Sequence, residues 1–144
     1  MQLTMSGEYG IRAMLHIASF NNRSLVQILD ISKEWGIPES FLRKIIPQLA
    51  KAGLINSHRG MGGGLELAKT PDQITALEVI EAVEGKMYLN RCLFSTDICE
   101  RSEWCSMHTV WIEAQEKLKE VLNSKTLTDL IEQNNLRRKE LNIV

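Results

Sequence analysis

The sequence predicts a mainly α-helical fold with a small β-hairpin wing: a winged helix-turn-helix followed by a long dimerisation helix. Three observations predict it. Two helical stretches meet at Gly36, and the second is short and basic on its outer face. A glycine-rich hairpin follows directly. An apolar seam with alternating spacings of three and four then extends for about 30 Å of helix.

Met5, Tyr9, Met14, Leu15 and Ile17–Ala18 recur at helical spacing from Ser6 to about Phe20, and Asn21–Asn22 ends the pattern. After a turn at Arg23–Ser24, Leu25–Trp35 reads as a second helix with a brief extended entry, stopped by Gly36. The third helix occupies Ile37–Gly53, with Pro38 and Glu39 in its first turn. Leu42, Ile45–Ile46, Leu49 and Ala52 form its apolar stripe, and Ser40, Arg43, Lys44, Gln48 and Lys51 its outer face. Pro47 lies inside it, which predicts a kink or a local break.

Leu54–His58 and Gly64–Ala68 read as strands around the tip Arg59–Gly63. Arg59 at that tip can reach a minor groove or a phosphate, and His58 beside it can touch phosphate. No helix opens after the glycines, so they are not a dinucleotide-binding turn. Thr75-Ala-Leu-Glu78 is a capping box opening a helix to about Glu84, closed by Gly85. Lys86–Ser102 has no sustained period and reads as a long loop.

From Glu103 to Asn123 runs the longest helix, with Trp104, Met107, Trp111, Ala114, Leu118 and Val121 along its seam. With the DNA reader already complete, this seam most simply buries itself against its copy in a second subunit. Packing on the chain's own first helix is the alternative. Thr126–Gln133 reads as a last short helix, and the polar Asn134–Val144 as a disordered tail.

Composition narrows the function. The 144 residues carry 17 Lys and Arg against 18 Asp and Glu, which excludes a uniformly basic nucleic-acid coat. Residues 1–70 nevertheless hold 8 basic and 5 acidic side chains, and residues 71–144 hold 9 and 13. The first half is therefore the one suited to phosphates, although ordinary scatter could give the same split. No run approaches a membrane span of roughly 20 apolar residues. Met1–Gly10 lacks the basic head and apolar run of a secretory signal, so the expected location is the cytoplasm.

All three cysteines fall in one stretch, Cys92-x6-Cys99-x5-Cys105, and His108 follows three residues after the last. Cys105 and His108 project from one side of the predicted long helix, and the loop can swing Cys92 and Cys99 toward them. Three thiolates and an imidazole suit zinc or an iron–sulfur cluster, and gaps of six and five accommodate a cluster better than a zinc knuckle. Three unrelated thiols, with Cys105 in a core, would need no metal. His108 would read as an interfacial histidine on the seam's flank were Cys105 not three residues before it, and His16 reads as structural. A Cys–His nucleophile pair is disfavoured, because the two share one helix with no oxyanion-hole turn nearby.

The opening MQLT…EYGIRAMLHIA, the reader IPESFLRKIIPQLAKAGLI, the wing HRGMGGGLELAKTPDQIT, EVIEAVEG, the cysteine loop and VWIEA together resemble the family of bacterial winged-helix regulators that includes IscR and NsrR. The resemblance spans Met1 to about Gln133. It implies a homodimer on a palindromic operator in double-stranded DNA, with an iron–sulfur cluster controlling binding. It implies residues 1–85 as the DNA-binding domain, 86–102 as the cluster loop and 103–133 as dimerisation helices. Cys92, Cys99 and Cys105 would be ligands. The fourth would be His108, as in regulators of the IscR type with a 2Fe–2S cluster, or Glu8 of the partner chain, as in the nitric-oxide-responsive NsrR type with 4Fe–4S. His108 with 2Fe–2S is the favoured pair. The gap of six after Cys92 departs from the family's five, and a cluster-free regulator acting through a reactive thiol or a partner protein is the alternative.

Overall fold

The computed structural model describes residues 4–20 and 23–144; the expected stop at Asn21–Asn22 lies outside them. Among the described residues, the chain forms six α-helices and one antiparallel hairpin. These are α1 (Met5–Phe20), α2 (Ile28–Trp35), α3 (Glu39–Lys51), β1 (Ile55–His58), β2 (Gly64–Leu67), α4 (Ala76–Glu84), α5 (Ser106–Asn123) and α6 (Leu127–Glu140).

The core is built around α1. Gly7, Gly10, Ala13, Met14, Ile17 and Ala18 line its buried face at helical spacing. A Cβ at Gly10 would stand 2.9 Å from Val83 Cγ2, so the missing side chain is what lets α1 lie this close to α4. The Glu84 carboxylate at the end of α4 accepts from the backbone N–H groups of Thr4 (3.2 Å) and Gly7 (2.9 Å), and from the Thr4 hydroxyl. It thereby places an anion at the positive end of α1 and satisfies donors that the helix cannot. Ile31, Leu42, Ile45, Leu49, Leu54, Ile55, Val79 and Leu127 complete the buried cluster.

α2 starts at Ile28 because residues 25–27 are extended. Val26 exchanges two backbone bonds with Leu65, at 2.9 and 2.8 Å, and so adds a short third strand to the hairpin. α3 runs unbroken through Pro47, so the expected break is absent; its buried face of Leu42, Ile45, Ile46 and Leu49 holds it in place. In the hairpin, Ile55 faces Leu67 and Ser57 faces Leu65.

Two expectations at the C-terminal end are corrected. The long helix starts at Ser106, not Glu103: Cys105 is its N-cap, and Trp104 lies in the turn before it. The loop ahead of it is broken into short 3-10 turns at Arg91–Leu93 and Thr96–Ile98, and backbone bonds from Trp104 and Cys105 to the Arg101 carbonyl close a further turn. The predicted disordered tail is instead helical to Glu140. Arg137, Arg138 and Lys139 in the last turn complement the negative end of α6, and Arg138 pairs with Glu34 at 3.4 Å. α5 lies against α4 and the 91–93 turn, whereas α1 is covered by α4, α3 and α6. No helix among the described residues is long and apolar enough to cross a membrane.

Thr75 and Thr126 each open a helix with a capping box, and the two caps are neighbours. Ala76 N–H donates to the Lys125 carbonyl (2.8 Å) and Leu127 N–H to the Ile74 carbonyl (2.9 Å). Thr126→Ala is expected to lower stability by about 1 kcal/mol in urea unfolding, with an unchanged slope. Bonds from the Thr126 amide and hydroxyl hold the Asp129 carboxyl below its ordinary value of 3.8. The native state therefore binds fewer protons than the unfolded chain, so this contribution is present above that value and is lost as pH falls through the folded one. Asp129→Asn should flatten the acid limb of a stability–pH curve.

Candidate functional site

The three cysteines line one pocket. Cys92 enters from the 91–93 turn, Cys99 follows the second turn, and Cys105 caps α5. All three are free and half-buried, and with His108 they line one pocket of about 390 Å³ whose wall includes Met107 and Trp111. Backbone bonds fix the approach. Ser102 N–H donates to the Cys99 carbonyl (3.1 Å), and His108 N–H to the Cys105 carbonyl (3.0 Å).

His108 Nδ1 is buried without a hydrogen-bond partner, a condition that is costly unless another group completes it. Among the described residues, however, no three His, Cys, Asp or Glu side chains converge on a common metal position. The donors share a pocket without closing on one point. Their chemistry fits a thiophilic metal or cluster: soft thiolates plus one imidazole nitrogen in need of a partner. Glu8 stands outside that pocket on α1, where it pairs with Arg12, whose guanidinium lies over the Tyr9 ring.

The other face is basic. Ser40, Arg43, Lys44 and Gln48 are all exposed on α3, opposite its buried stripe. Arg43 reaches Glu39 at 3.3 Å, and Lys44 lies 5.9 Å from the centre of the Phe41 ring. On the wing, His58 and Arg59 are exposed, and His58 Nε2 sits 2.8 Å from Glu66 Oε1. Sequence reasoning missed two residues here. Phe41, an aromatic on a polar face, is 40% exposed and packs edge-on against Tyr9 at 5.6 Å. Gln27 donates through its side-chain amide to the Gly63 carbonyl and ties the wing to the start of α2.

The seam residues divide. Trp104 precedes α5 and is 73% exposed, whereas Met107, Trp111, Ala114, Leu118 and Val121 lie on the helix. None of α5 is buried within the chain, and Val121 is 59% exposed.

A helix-turn-helix with an open basic face, a wing locked onto it and a thiol-lined loop leading to a helix without a buried face define a winged-helix DNA-binding regulator. The chain belongs to the Rrf2 family, described as an iron-dependent transcriptional regulator, whose sequence model matches residues 3–133. It is 36% identical over 131 residues to the HTH-type transcriptional regulator IscR of Erwinia tasmaniensis, covering 91% of this chain and 79% of that protein. It is also 36% identical over 134 residues to IscR of Vibrio atlanticus, covering 93% and 77%. Among solved structures it is similar to CymR, the global cysteine regulator of B. subtilis, with a TM-score of 0.77 and 28% identity over 92% of this chain and 98% of that one. It is similar to T. potens IscR with a TM-score of 0.72 and 30% identity, covering 93% and 88%. The family consists of transcriptional regulators, and the chain is not an enzyme.

The wing tolerates little change. A Cβ at Gly63 would stand 2.2 Å from the His58 carbonyl oxygen, so Gly63→Ala must open the turn. Its expected cost is about 1–3 kcal/mol in urea unfolding.

Proposed function

We propose that the chain is a homodimeric regulator that binds a palindromic operator and whose affinity follows the state of an iron–sulfur cluster. Cys92, Cys99 and Cys105 would be its thiolate ligands. The observation that carries this reading is the pocket that those thiols share with His108, whose Nδ1 is buried and unpartnered. His108 is the favoured fourth ligand, with 2Fe–2S; Glu8 of the partner chain, with 4Fe–4S, is the other. A cluster there would supply a link between loop and helix that depends on iron supply, redox state or nitric oxide.

The chain's own residues do the rest. α5 offers Met107, Trp111, Ala114, Leu118 and Val121, with Trp104 at its head, to a second copy. The reading helices α3 must then match groove positions roughly 34 Å apart, a spacing set by how α5 joins its winged helix. Arg43 and Gln48 are assigned to base edges, Lys44, His58 and Arg59 to phosphate or the minor groove, and Ser40 to backbone positioning. That no three metal donors converge among the described residues favours a second reading, a cluster-free regulator working through a reactive thiol or a partner protein.

Anaerobic purification with iron and sulfide analysis separates the two. About two iron and two sulfide per chain, lost in Cys92→Ala and Cys99→Ala, is the expected result; about four of each would promote Glu8. Colourless protein with free thiols would leave only the second reading. On DNA, Arg43→Ala is expected to cost about 1–3 kcal/mol on the operator and little on random sequence. Lys44→Ala should weaken both alike and lower the salt slope by about one.

A further inference from the structure

A second recess, of about 300 Å³, lies away from the cysteines where α1, α2 and α6 meet. His16 and Phe20 come from α1, Glu34 and Trp35 from α2, and Asn135 and Arg138 from α6. The Trp35 indole N–H donates to His16 Nδ1 at 3.2 Å. An indole nitrogen only donates, so Nδ1 carries the lone pair and the ring proton belongs on Nε2. Burial holds His16 below its ordinary value against the pull of Glu34 and Asp30, which keeps the ring neutral. Its Nε2–H is then a buried donor without an acceptor, although the rest of the ring is packed against Phe20.

Arg138 and Glu34 face each other at 3.4 Å beside this ring, each about half exposed. A half-exposed pair of this length contributes little, so either partner can turn to another ion at small cost. The two charges pose opposite demands. A lone anion drawn to Arg138 would meet Glu34, and a lone cation drawn to Glu34 would meet Arg138. A molecule carrying both charges on adjacent carbons satisfies both.

We infer that this recess binds a small zwitterion of the α-amino-acid class, with an apolar side chain. Its carboxylate pairs with the Arg138 guanidinium, beside the Asn135 amide, and its ammonium with Glu34. The side chain lies against Phe20 and Trp35. The His16 Nε2–H, shut off from solvent, gains an acceptor from the carboxylate once the ring shifts toward the recess. The recess is small, at the lower end of the range for ligand clefts, which suits a molecule of that size. Because α1 and α2 belong to the reading half and α6 does not, an occupant braces one against the other. This site is independent of the cysteine pocket and of any cluster.

The test uses the full chain and the proteinogenic L-amino acids, each alone, by calorimetry and thermal unfolding. At least one amino acid with an apolar side chain is expected to bind and raise the unfolding midpoint with concentration. Its N-acetyl derivative and its amide, each lacking one charge, should bind about tenfold more weakly or worse. Arg138→Gln and Glu34→Gln should weaken it similarly. The two analogues decide the matter on the unaltered chain if either variant folds poorly. The inference is overturned if no amino acid binds, if both single-charge analogues bind as well as the parent, or if binding survives both substitutions.

Discussion

The C-terminal end of α5 is fixed by one pair of backbone hydrogen bonds, those between Ala76 and Lys125 and between Leu127 and Ile74. They join the start of α4 to the start of α6 and bring Leu127 to zero exposure in the core. α5 itself supplies no fully buried side chain, so its own packing against α4 holds it only lightly. It is anchored at its C-terminal end by this bridge. Along its length it is steadied by lighter contacts, such as Gln115 accepting from Leu89 N–H (3.0 Å) and Lys119 near Glu81 (3.5 Å). A helix pinned firmly at one end and opening at a cysteine with no side-chain cap at the other is most easily redirected from that open end.

That arrangement explains why the cysteine loop is so sparsely built. Among its described residues only Ser102 is buried, and exposed Phe94 and Ile98 sit where a packed core would hide them. Such a segment has little intrinsic stability, so a small change at its thiols can alter its conformation at low cost. The winged helix is the opposite case. Its wing is tied by the Val26–Leu65 bridge, by Gln27 to Gly63 and by the close turn at Gly63, so it moves with α2 and α3 as a block. Under the proposed function, a change in the loop would therefore reach DNA as a change in where the whole reader sits, not in its internal shape.

Much of this was legible in the sequence because short-range rules govern it. The stripe of α3, the capping box at Thr75 and the hairpin register all follow from spacing or from side chains three residues apart. The sequence misled where long-range contacts decide. α6 continues past Asn134 although its face is polar, because Leu127 and Ile131 seat its first turns on the core and cations complement its far end. Trp104 looks like the first residue of a seam by spacing alone, yet bonds from its own N–H and that of Cys105 to the Arg101 carbonyl close a turn and delay the helix. Phe41 went unremarked because its significance lies in Tyr9 and Lys44, neither of which its local pattern reveals.

The two buried orphan nitrogens divide the molecule's chemistry in a way the sequence could not. His108 and His16 are both half-buried imidazoles on helices, and each leaves one ring nitrogen without a partner. Their neighbours differ. His108 stands among thiols, where an unprotonated nitrogen is a donor to soft metals. His16 is held by the Trp35 indole with its free nitrogen protonated, so that it offers a hydrogen bond and cannot ligate through that atom without giving up a proton. One histidine is thus suited to a metal and the other to an anion or a carbonyl. The distinction rests on the neighbours: an indole donor at His16 and three thiols at His108.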